Sequence, residues 1–569
     1  MERPSRGMSI EGLEIADGLS DTTRDVIAIL DIDAACMRSG PACADLVLTQ
    51  PGTVREATRS VAAAELWYRY ASRADQSDAF PAWLGCARET HRYLFAPTLA
   101  GRPGALEGRS QLALRLHNAC VAGLLHAVEL RVARPKIGLR WDVDRMYFPS
   151  EAIERIELAE RLSVHGLRTR QYDDGLGVAA VAIGAKTQAA VGFPAQSFAL
   201  AVNLRFELDD DATPTIVVSD ASRPRRIDTA LGSLPLARDV STAYATAADL
   251  FDAELTAWQA LRGTRGSERP EIRLLAPYDP AKTPVILIHG LASSPLAWVN
   301  VANELLGDPD ISANFQIWLV RYSTGQPLFV NRQQIATLIE NFRRQALAGS
   351  TEPPRNAVLI GHSMGGVLAR LLVTDSGSTL WQAAFMREPD MLQGPPDAVD
   401  AARRLLIFAP IGAVDEVVFI AAPHGGSVYA DGALAKLTRG LVHLPADTLS
   451  FLGALAQANP DLVSDAVRSS YLVGGPTSFD TLSPDQPVIQ AGRKLPIAEG
   501  IEIHSIIGIR DEDAPEKGDG IVPLESAQWP QGSEKRVRGG HDVQDEPETI
   551  KLLKEILLGR LRREGALAQ

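Results

Sequence analysis

Residues 357–366 of the chain read AVLIGHSMGG, and this stretch decides the fold of the second half of the sequence. The apolar residues that open it are typical of a buried β-strand, and the run VLARLLV at 367–373 has the apolar spacing of a helix. Ser363 stands between the two, framed by Gly361 and Gly365. A strand, a glycine-framed serine and a helix in direct succession are what a G-x-S-x-G nucleophile elbow requires.

The two glycines are needed because such a turn is tight. A side chain at Gly361 or Gly365 would collide with neighbouring backbone, and the serine itself must adopt strained dihedral angles. The hydroxyl is thereby held above the first amides of the helix, which stabilise negative charge. We therefore predict that Ser363 is a nucleophile.

Length and composition limit the alternatives. A chain of 569 residues is long enough for two or three domains. Its 46% hydrophobic and 22% charged residues describe a globular protein with a large core. The net charge of −13, without a Lys/Arg-rich run, argues against nucleic acid as a partner. No apolar run reaches the roughly 20 residues of a membrane span.

The cysteines Cys36, Cys43, Cys86 and Cys120 all lie in the first part of the chain. A disulfide framework is not expected in so long a chain, and no C-x-x-C spacing suggests zinc. We interpret these residues as free or incidentally paired thiols. The apolar run at 26–30 is too short for a secretory signal, so the sequence as written predicts a cytoplasmic protein, with export left open if the start is misassigned.

The first half of the chain shows no catalytic constellation. Residues 1–53 are polar and without clear period, which indicates a loosely ordered leader. Residues 54–266 are interpreted as an accessory α+β region, helical over 54–133, β-rich over 134–236 and helical again over 240–262. The role of this region does not follow from the sequence.

Residues 270–565 change in character, because short apolar runs alternate with helical patterns. This alternation predicts an α/β domain with a mostly parallel, doubly wound sheet. Insertions near 376–412 and 428–498 interrupt it. Insertions of this length usually cover or line a functional site, so we interpret them as lid-like, with surface elaboration as the alternative.

A serine hydroxyl needs a base, and the base needs a group that orients it. After a nucleophile elbow, the acid and then the base follow the serine along the chain. The histidines beyond the turn at His424 are His443, His504 and His541. His443 lies in an insertion and His504 within an expected strand. His541 follows the last strand and precedes the last helix, so it is our candidate base.

The candidate acid is Asp519, on the glycine-flanked loop GDGIVP at 518–523. This loop follows the strand expected at 501–507 and precedes the base, as the chain order requires. The carboxylates of the preceding loop are rivals: Asp511, Glu512, Asp513 and Glu516. The role of Asp519 would be to hold the tautomer of His541 and to stabilise the imidazolium.

The oxyanion that forms on attack needs preorganised N–H donors. One is expected from Met364, the residue after the nucleophile. The other is expected from Leu291, in the loop HGLASSP at 289–295 that follows the strand at 285–289. His289 in this loop is expected to be structural.

Four motifs occur in the same order as in a known superfamily: HGL at 289–291, GHSMGG at 361–366, APHGGS at 422–427, and DGIVP at 519–523 ahead of His541. Together they resemble the α/β-hydrolase superfamily, specifically its lipase/esterase branch, over roughly residues 270–565. The resemblance implies an α/β-hydrolase fold and hydrolysis of carboxylic esters through an acyl-enzyme, with no organic cofactor. Some lipases bind a structural calcium ion, but no ligand set for a metal can be assigned in this sequence.

The sequence leaves three functions open. The first is a serine carboxylester hydrolase of the lipase or esterase type, acting on a small-molecule or lipid acyl ester with peripheral lipid contact. An acyltransferase or thioesterase could use the same triad. The third is a hydrolase-like binding protein, against which the complete Ser, Asp and His set argues. Oligomeric state does not follow from the sequence.

Overall fold

The computed structural model of the chain describes residues 18–36, 40–127, 140–144, 153–188, 195–208, 213–262, 270–276, 278–348, 355–426, 455, 458–459 and 487–566. The chain divides into two compact units, one formed by residues 1–187 and 197–247 and the other by 188–196 and 248–569. The sequence instead placed the boundary between residues 266 and 270. The division falls earlier, within the helix expected at 240–262, which is continuous as Val240–Arg262.

Helices open the first unit. Their ranges are α1 (Asp21–Ile29), α2 (Asp33–Cys36), α3 (Gly40–Thr49), α4 (Glu56–Ala71), α5 (Gln76–Phe95) and α6 (Gly108–Ala127). The helices α4, α5 and α6 pack against one another around large buried side chains such as Trp83, Tyr93 and Leu124. These side chains form one hydrophobic core with the strands that follow.

The prediction of a loosely ordered leader over 1–53 is wrong for its described part. The helices α1 and α3 bury an apolar cluster, which includes Val26, against α4. The buried carboxylate of Glu65 on α4 accepts hydrogen bonds from the Ser20 amide at 2.7 Å and the Thr23 hydroxyl at 2.5 Å. Because these partners lie 42 to 45 positions away along the chain, no local pattern predicts the order of this segment.

The four cysteines form two disulfides, so the expectation of free or incidentally paired thiols is wrong. Cys36 and Cys43 join α2 to α3, and Cys86 and Cys120 join α5 to α6 inside the core. Pairing depends on the distance between Cα atoms, which the packing of the helices sets and the spacing of cysteines in a sequence does not reveal.

Strands follow the helices of the first unit. Their ranges are β1 (Arg140–Asp144), β2 (Ile153–Leu158), β3 (Tyr172–Asp173), β4 (Val178–Gln188), β5 (Ala195–Leu208), β6 (Pro214–Asp220), β7 (Arg226–Thr229), β8 (Gly232–Pro235) and β9 (Arg238–Asp239), and α7 (Val240–Arg262) comes next. The order in the main sheet is β1-β6-β5-β4-β2. Within it β1 is parallel to β6, while β5 is antiparallel to β6 and β2 to β4.

The second unit is built on a seven-stranded sheet of order β10-β12-β11-β13-β14-β15-β16. The ranges are β10 (Glu271–Leu274), β11 (Thr283–Ile288), β12 (Phe315–Arg321), β13 (Ala357–His362), β14 (Val414–Ile420), β15 (Glu502–Ile509) and β16 (Ser533–Arg538). The edge strand β10 is antiparallel to β12, and the other pairs are parallel. The central strands β11 and β13 are buried along their whole length, as continuous apolar runs predict. The predicted mostly parallel α/β sheet is confirmed.

Helices connect these strands. Their ranges are α8 (Val299–Gly307), α9 (Pro309–Asn314), α10 (Leu328–Ala348), α11 (Met364–Leu372), α12 (Thr379–Ala384), α13 (Pro396–Leu406), α14 (Pro487–Arg493), α15 (Leu524–Ala527) and α16 (Pro547–Arg563). Among the described residues, no helix has both the length and the apolar character needed to cross a membrane.

The first insertion, near 376–412, contains α12 and α13. Most of the second insertion, near 428–498, lies outside the described residues, and so does His443. Its last part includes α14, which packs against α12. The described parts of the two insertions therefore meet, and a β-bridge pairs Ile497 of the second with Thr374, just before the first.

Candidate active site

The turn between β13 and α11 places Ser363 in a backbone conformation that side chains rarely adopt. Its φ is 54° and its ψ is −125°. A Cβ atom on Gly361 would lie 2.2 Å from the carbonyl oxygen of Gly365, and one on Gly365 would lie 2.2 Å from that of Ile288. Because both obstacles are backbone atoms, no side chain fits at either glycine. The turn thus has the close approaches that the sequence predicted.

Three predicted side chains meet at the carboxyl ends of the strands. Ser363 follows β13, Asp519 lies on the loop after β15, and His541 lies directly beyond β16. The His541 Nε2 atom is 2.8 Å from the Ser363 Oγ atom, and its Nδ1 atom is 2.8 Å from the Asp519 Oδ2 atom. The three form one continuous hydrogen-bonded line in which the imidazole can accept the proton of the serine hydroxyl.

The carboxylate of Asp519 is fixed on both oxygens. Its Oδ1 atom accepts hydrogen bonds from the amides of Ile521 at 2.8 Å and Val522 at 2.7 Å, which leaves Oδ2 for His541. The residue is 3% exposed, whereas the four rival carboxylates of the preceding loop are exposed. Asp519 is therefore the carboxylate of this loop that the structure brings to the imidazole.

The two predicted oxyanion donors flank the serine. Met364 is the first residue of α11, and Leu291 lies in the loop after β11. Within the part of the chain that the structure describes, neither amide donates a hydrogen bond to another residue. A Cβ atom on Gly290, next to Leu291, would lie 3.0 Å from the Cβ atom of Ser363, so this loop approaches the serine closely. Both amides are thus free to serve an oxyanion.

His362 contributes to the site and was not predicted from the sequence. Its Nε2 atom is 2.7 Å from the backbone carbonyl oxygen of His541. Burial, together with the nearby imidazole of His541, lowers the pKa of His362 to about 3, so the ring is neutral near pH 7. A neutral ring that meets a carbonyl oxygen must donate its Nε2–H, so His362 holds the backbone of the candidate base. The sequence offered only one indication of this role, which is that His362 occupies the position before the serine in the G-x-S-x-G motif.

The loop that carries Leu291 is held by a second pair of rings. The ring of Tyr322 stacks on that of His289 with centroids 4.4 Å apart, and the Tyr322 hydroxyl donates to the His289 carbonyl at 2.6 Å. Burial lowers the pKa of His289 to about 4. Its Nδ1 atom is 3.0 Å from the carbonyl oxygen of Gly290. These contacts fit the structural role expected for His289.

The rival base His504 lies elsewhere. Its Nε2 atom is 3.2 Å from a carboxylate oxygen of Glu416 and 3.5 Å from one of Glu502, in the amino-terminal halves of β14 and β15. Among the described residues these three side chains could together hold a metal ion. Arg563, however, already contacts both carboxylates, at 3.1 Å and 2.7 Å, and so supplies the balancing positive charge.

One family model matches part of this chain. The model of the alpha/beta hydrolase family matches residues 285–550. No curated protein matches the chain. Among solved structures, the mature lipase BlEst2 of Bacillus licheniformis is 14% identical, with 49% of this chain and 93% of that one covered and a TM-score of 0.27. A carboxylesterase of Nitrososphaera gargenis is 17% identical, covering 52% and 93%, with a TM-score of 0.27. The monoacylglycerol lipase of Paleococcus ferrophilus is 14% identical, covering 51% and 99%, with a TM-score of 0.26. Similarity this low does not indicate a substrate.

Proposed function

Residues 285–550 match the model of the alpha/beta hydrolase family, and from this match we propose that the chain hydrolyses carboxylic esters through an acyl-enzyme on Ser363. The observation that carries the proposal is the line of hydrogen bonds from Asp519 through His541 to Ser363, with both heavy-atom distances at 2.8 Å. A serine hydroxyl in this arrangement has a base within reach and a carboxylate that orients the base.

In the first half of the reaction, the Ser363 oxygen attacks the ester carbonyl carbon while His541 Nε2 takes the hydroxyl proton. The carbonyl oxygen becomes an oxyanion, which the amides of Leu291 and Met364 stabilise. When the tetrahedral intermediate collapses, the bond to the alkoxy group breaks and His541 returns the proton to the leaving alcohol. The acyl group is then bound to Ser363.

In the second half, a water molecule replaces the alcohol. His541 takes a proton from the water as it attacks the acyl carbon, and the same two amides stabilise the second oxyanion. Collapse then breaks the bond to Ser363, which regains its proton from His541, and the carboxylic acid leaves. Asp519 holds the imidazole by its Nδ1–H throughout and stabilises the imidazolium in both halves.

The insertions support an acyl substrate with apolar character. In the first of them, α12 buries Leu380 and Trp381, while Met386 and Met391 beyond it are exposed. Exposed methionines are adaptable surfaces for apolar groups. We propose that this segment lies beside the acyl chain and acts as a lid, and that contact with a lipid surface is peripheral.

The proposal is tested by the hydrolysis of p-nitrophenyl esters of increasing acyl length. We expect Ser363→Ala and His541→Ala to lower kcat by at least about 1,000-fold, since members of a triad act as a unit. Ser312→Ala, which alters a buried serine within α9, is the matched control and should retain the full rate. Equal rates for Ser363→Ala and the native chain would contradict the proposal. A maximum at short acyl groups would favour an esterase over a lipase.

The disulfides bear on where the chain functions. The chain has disulfides between Cys36 and Cys43 and between Cys86 and Cys120. Disulfides in general persist in oxidising compartments and are rare in the cytoplasm. We therefore propose an oxidising location rather than the cytoplasmic one that the sequence suggested. Alkylation of all four thiols in unreduced, denatured protein from its natural source would contradict this.

A further inference from the structure

Four side chains from separate elements of the second unit meet beside α11 and form what we call the cationic cluster: Arg370, His424, Arg493 and Trp529. Arg370 lies on α11, His424 follows β14, Arg493 ends α14, and Trp529 lies between α15 and β16. The Arg370 guanidinium is 5.3 Å from the centroid of the Trp529 ring, and the His424 ring is 5.1 Å from the same ring. The proposed reaction uses none of these side chains.

Arg493 joins the cluster through a glycine. A Cβ atom on Gly425 would lie 2.6 Å from an Nη atom of Arg493, so the guanidinium rests against the backbone next to His424. The Gly425 amide is itself fixed by the Ser526 hydroxyl at 3.1 Å. A side chain at position 425 would displace the guanidinium, and the motif APHGGS therefore brings a second positive charge beside the first.

The buried polar atoms of the cluster lack partners. Arg370 and His424 are each 3% exposed. Among the described residues, no hydrogen-bond partner is present for Arg370 Nε, for either ring nitrogen of His424, or for Trp529 Nε1. Arg370 donates one hydrogen bond, to the carbonyl of Gly492. Buried donors without acceptors are unfavourable, so the cluster is incomplete without an acceptor.

The cluster also has a net positive charge. Burial, and then repulsion by Arg493, lowers the pKa of Arg370 to about 10, so the guanidinium is still charged near pH 7. Burial, followed by the two guanidinium groups, lowers the pKa of His424 well below its usual value, so this ring is neutral and offers one N–H. No carboxylate among the described residues forms an ion pair with either arginine. An anion would supply both the acceptor and the negative charge that the cluster lacks.

Arg332 is a buried arginine of the same unit whose Nε atom has an acceptor within the chain. It lies on α10, close to α11, and its guanidinium is 3.7 Å from the centroid of the Phe408 ring. Its Nε atom donates to the Leu371 carbonyl at 3.2 Å and one Nη atom to the Ala409 carbonyl at 2.7 Å. Arg332 and Arg370 are thus similar in burial and in aromatic contact, but differ in whether Nε has an acceptor.

The cluster lies near the nucleophile. Arg370 comes seven residues after Ser363, which is two helical turns and a rise of roughly 10 Å along the same face of α11. Helical side chains lean toward the N-terminal end, which here is the end that holds the serine. A Cβ atom on Gly366 would lie 2.5 Å from the Cβ atom of Ala422, so the first turn of α11 also touches the segment that leads to His424.

We propose that the cationic cluster binds an anionic group of the ester substrate, a carboxylate or a phosphate, held roughly 10 Å or less from the scissile carbonyl. The preferred substrates are then esters that carry such a group at the far end of an acyl chain or on the alcohol. This inference rests on the proposed ester hydrolysis and adds the substrate class. The two guanidinium groups supply the charge, while His424 and Trp529 supply oriented N–H donors.

The test compares two esters of equal acyl length, p-nitrophenyl octanoate and the mono-p-nitrophenyl ester of octanedioic acid, which ends in a carboxylate. For the native chain we expect kcat/KM to be about tenfold or more higher for the anionic ester, since charge-assisted hydrogen bonds are worth at least this much. We expect Arg493→Gln and Arg370→Gln to remove this preference while each still hydrolyses the octanoate. Arg332→Gln is the matched control and should keep the preference.

A second pair of esters distinguishes a phosphate from a carboxylate as the anionic group. It consists of 1-octanoylglycerol and its 3-phosphate, and their hydrolysis is assayed by release of octanoate. A larger preference within this pair than within the first identifies a phosphate, and the reverse identifies a carboxylate. Equal kcat/KM values within both pairs, or a preference that survives both arginine substitutions, would overturn the proposal. Turnover of the neutral esters would leave the ester hydrolysis itself intact in that case. Since Arg493 is exposed, its variant tests the proposal even if Arg370→Gln does not fold.

Discussion

At the scale of single residues, the site depends on the position of one imidazole. Hydrogen bonds with the side chains of Asp519 and Ser363 orient the His541 ring. A hydrogen bond from the His362 ring holds the backbone carbonyl of His541. His362 touches no reacting atom, so it is a positioning residue. Its effect should therefore appear in kcat rather than in KM, because misplacement of a base weakens transition-state contacts.

We predict that His362→Leu lowers kcat by roughly 10- to 100-fold with little change in KM, because the His541 carbonyl loses its donor. His362→Gln, whose amide can donate to the same carbonyl, should recover part of the loss. Steady-state kinetics with one p-nitrophenyl ester measures both. A KM effect alone, or no rescue by glutamine, would show that His362 has only a packing role.

The residues of the triad could be predicted from the sequence, whereas their supports could not. The order of Ser363, Asp519 and His541 along the chain leaves few candidates once strands and loops are placed. The bond of His362 joins a side chain to a backbone carbonyl 179 positions away. Every residue has a backbone carbonyl, so the residue types in the sequence do not indicate which carbonyl accepts the hydrogen bond.

At the scale of elements, the site depends on the tight connection between β13 and α11. Gly365 lies against the backbone of β11, where the carbonyl oxygen of Ile288 leaves no room for a Cβ atom. A substitution here must move the helix away from the strand, and Ser363 moves with the helix.

We predict that Gly365→Ala lowers kcat for ester hydrolysis by at least about 100-fold and lowers the thermal midpoint of unfolding of the second unit. The reason is that the backbone atoms around the added Cβ atom cannot move aside as a flexible side chain can. The matched control is Gly559→Ala in α16, where the added Cβ atom meets only an arginine Nη atom at 3.5 Å. That control should keep full activity and gain stability, because alanine favours a helix interior. Full activity of Gly365→Ala would disprove the steric account of the turn.

The central strands of the second unit were predictable because β11 and β13 are continuous apolar runs between turn signals, whereas the edge strand β10, which reads EIRL, carries no such signal and was not predicted. The helix α1 was missed for the opposite reason. It is short, and its first turn is fixed by Glu65 on a distant helix. Isolated helices of this length are marginal, so the evidence for α1 lies in tertiary contacts.

At the scale of the whole molecule, several histidines are buried in neutral form. Burial, with a smaller contribution from His91, lowers the pKa of His117 to about 3, and burial lowers that of His289 to about 4. In the unfolded chain both return to about 6.5. The unfolded state therefore binds more protons below about pH 6.5, and stability falls as the pH falls from there toward the folded pKa values.

We predict that the free energy of unfolding of the first unit decreases between about pH 7 and about pH 5, with about 2 kcal/mol of the decrease due to His117. Urea unfolding of the native chain and of His117→Leu at both pH values measures this contribution. The variant should lose less stability on acidification, whereas His165→Leu, which alters an exposed histidine, should behave like the native chain. Identical pH dependence of His117→Leu and the native chain would contradict the prediction.

The central claim is that Ser363 is an activated nucleophile, and covalent labelling tests it most directly. Trypsin cleaves after Arg355 and Arg370, and Ser363 is the single serine of the peptide 356–370. After treatment with a fluorophosphonate, we predict one equivalent of label, located on this peptide, and a large loss of labelling in His541→Ala because the base is absent. Labelling of the native chain at another serine, or equal labelling of Ser363→Ala, would contradict the account.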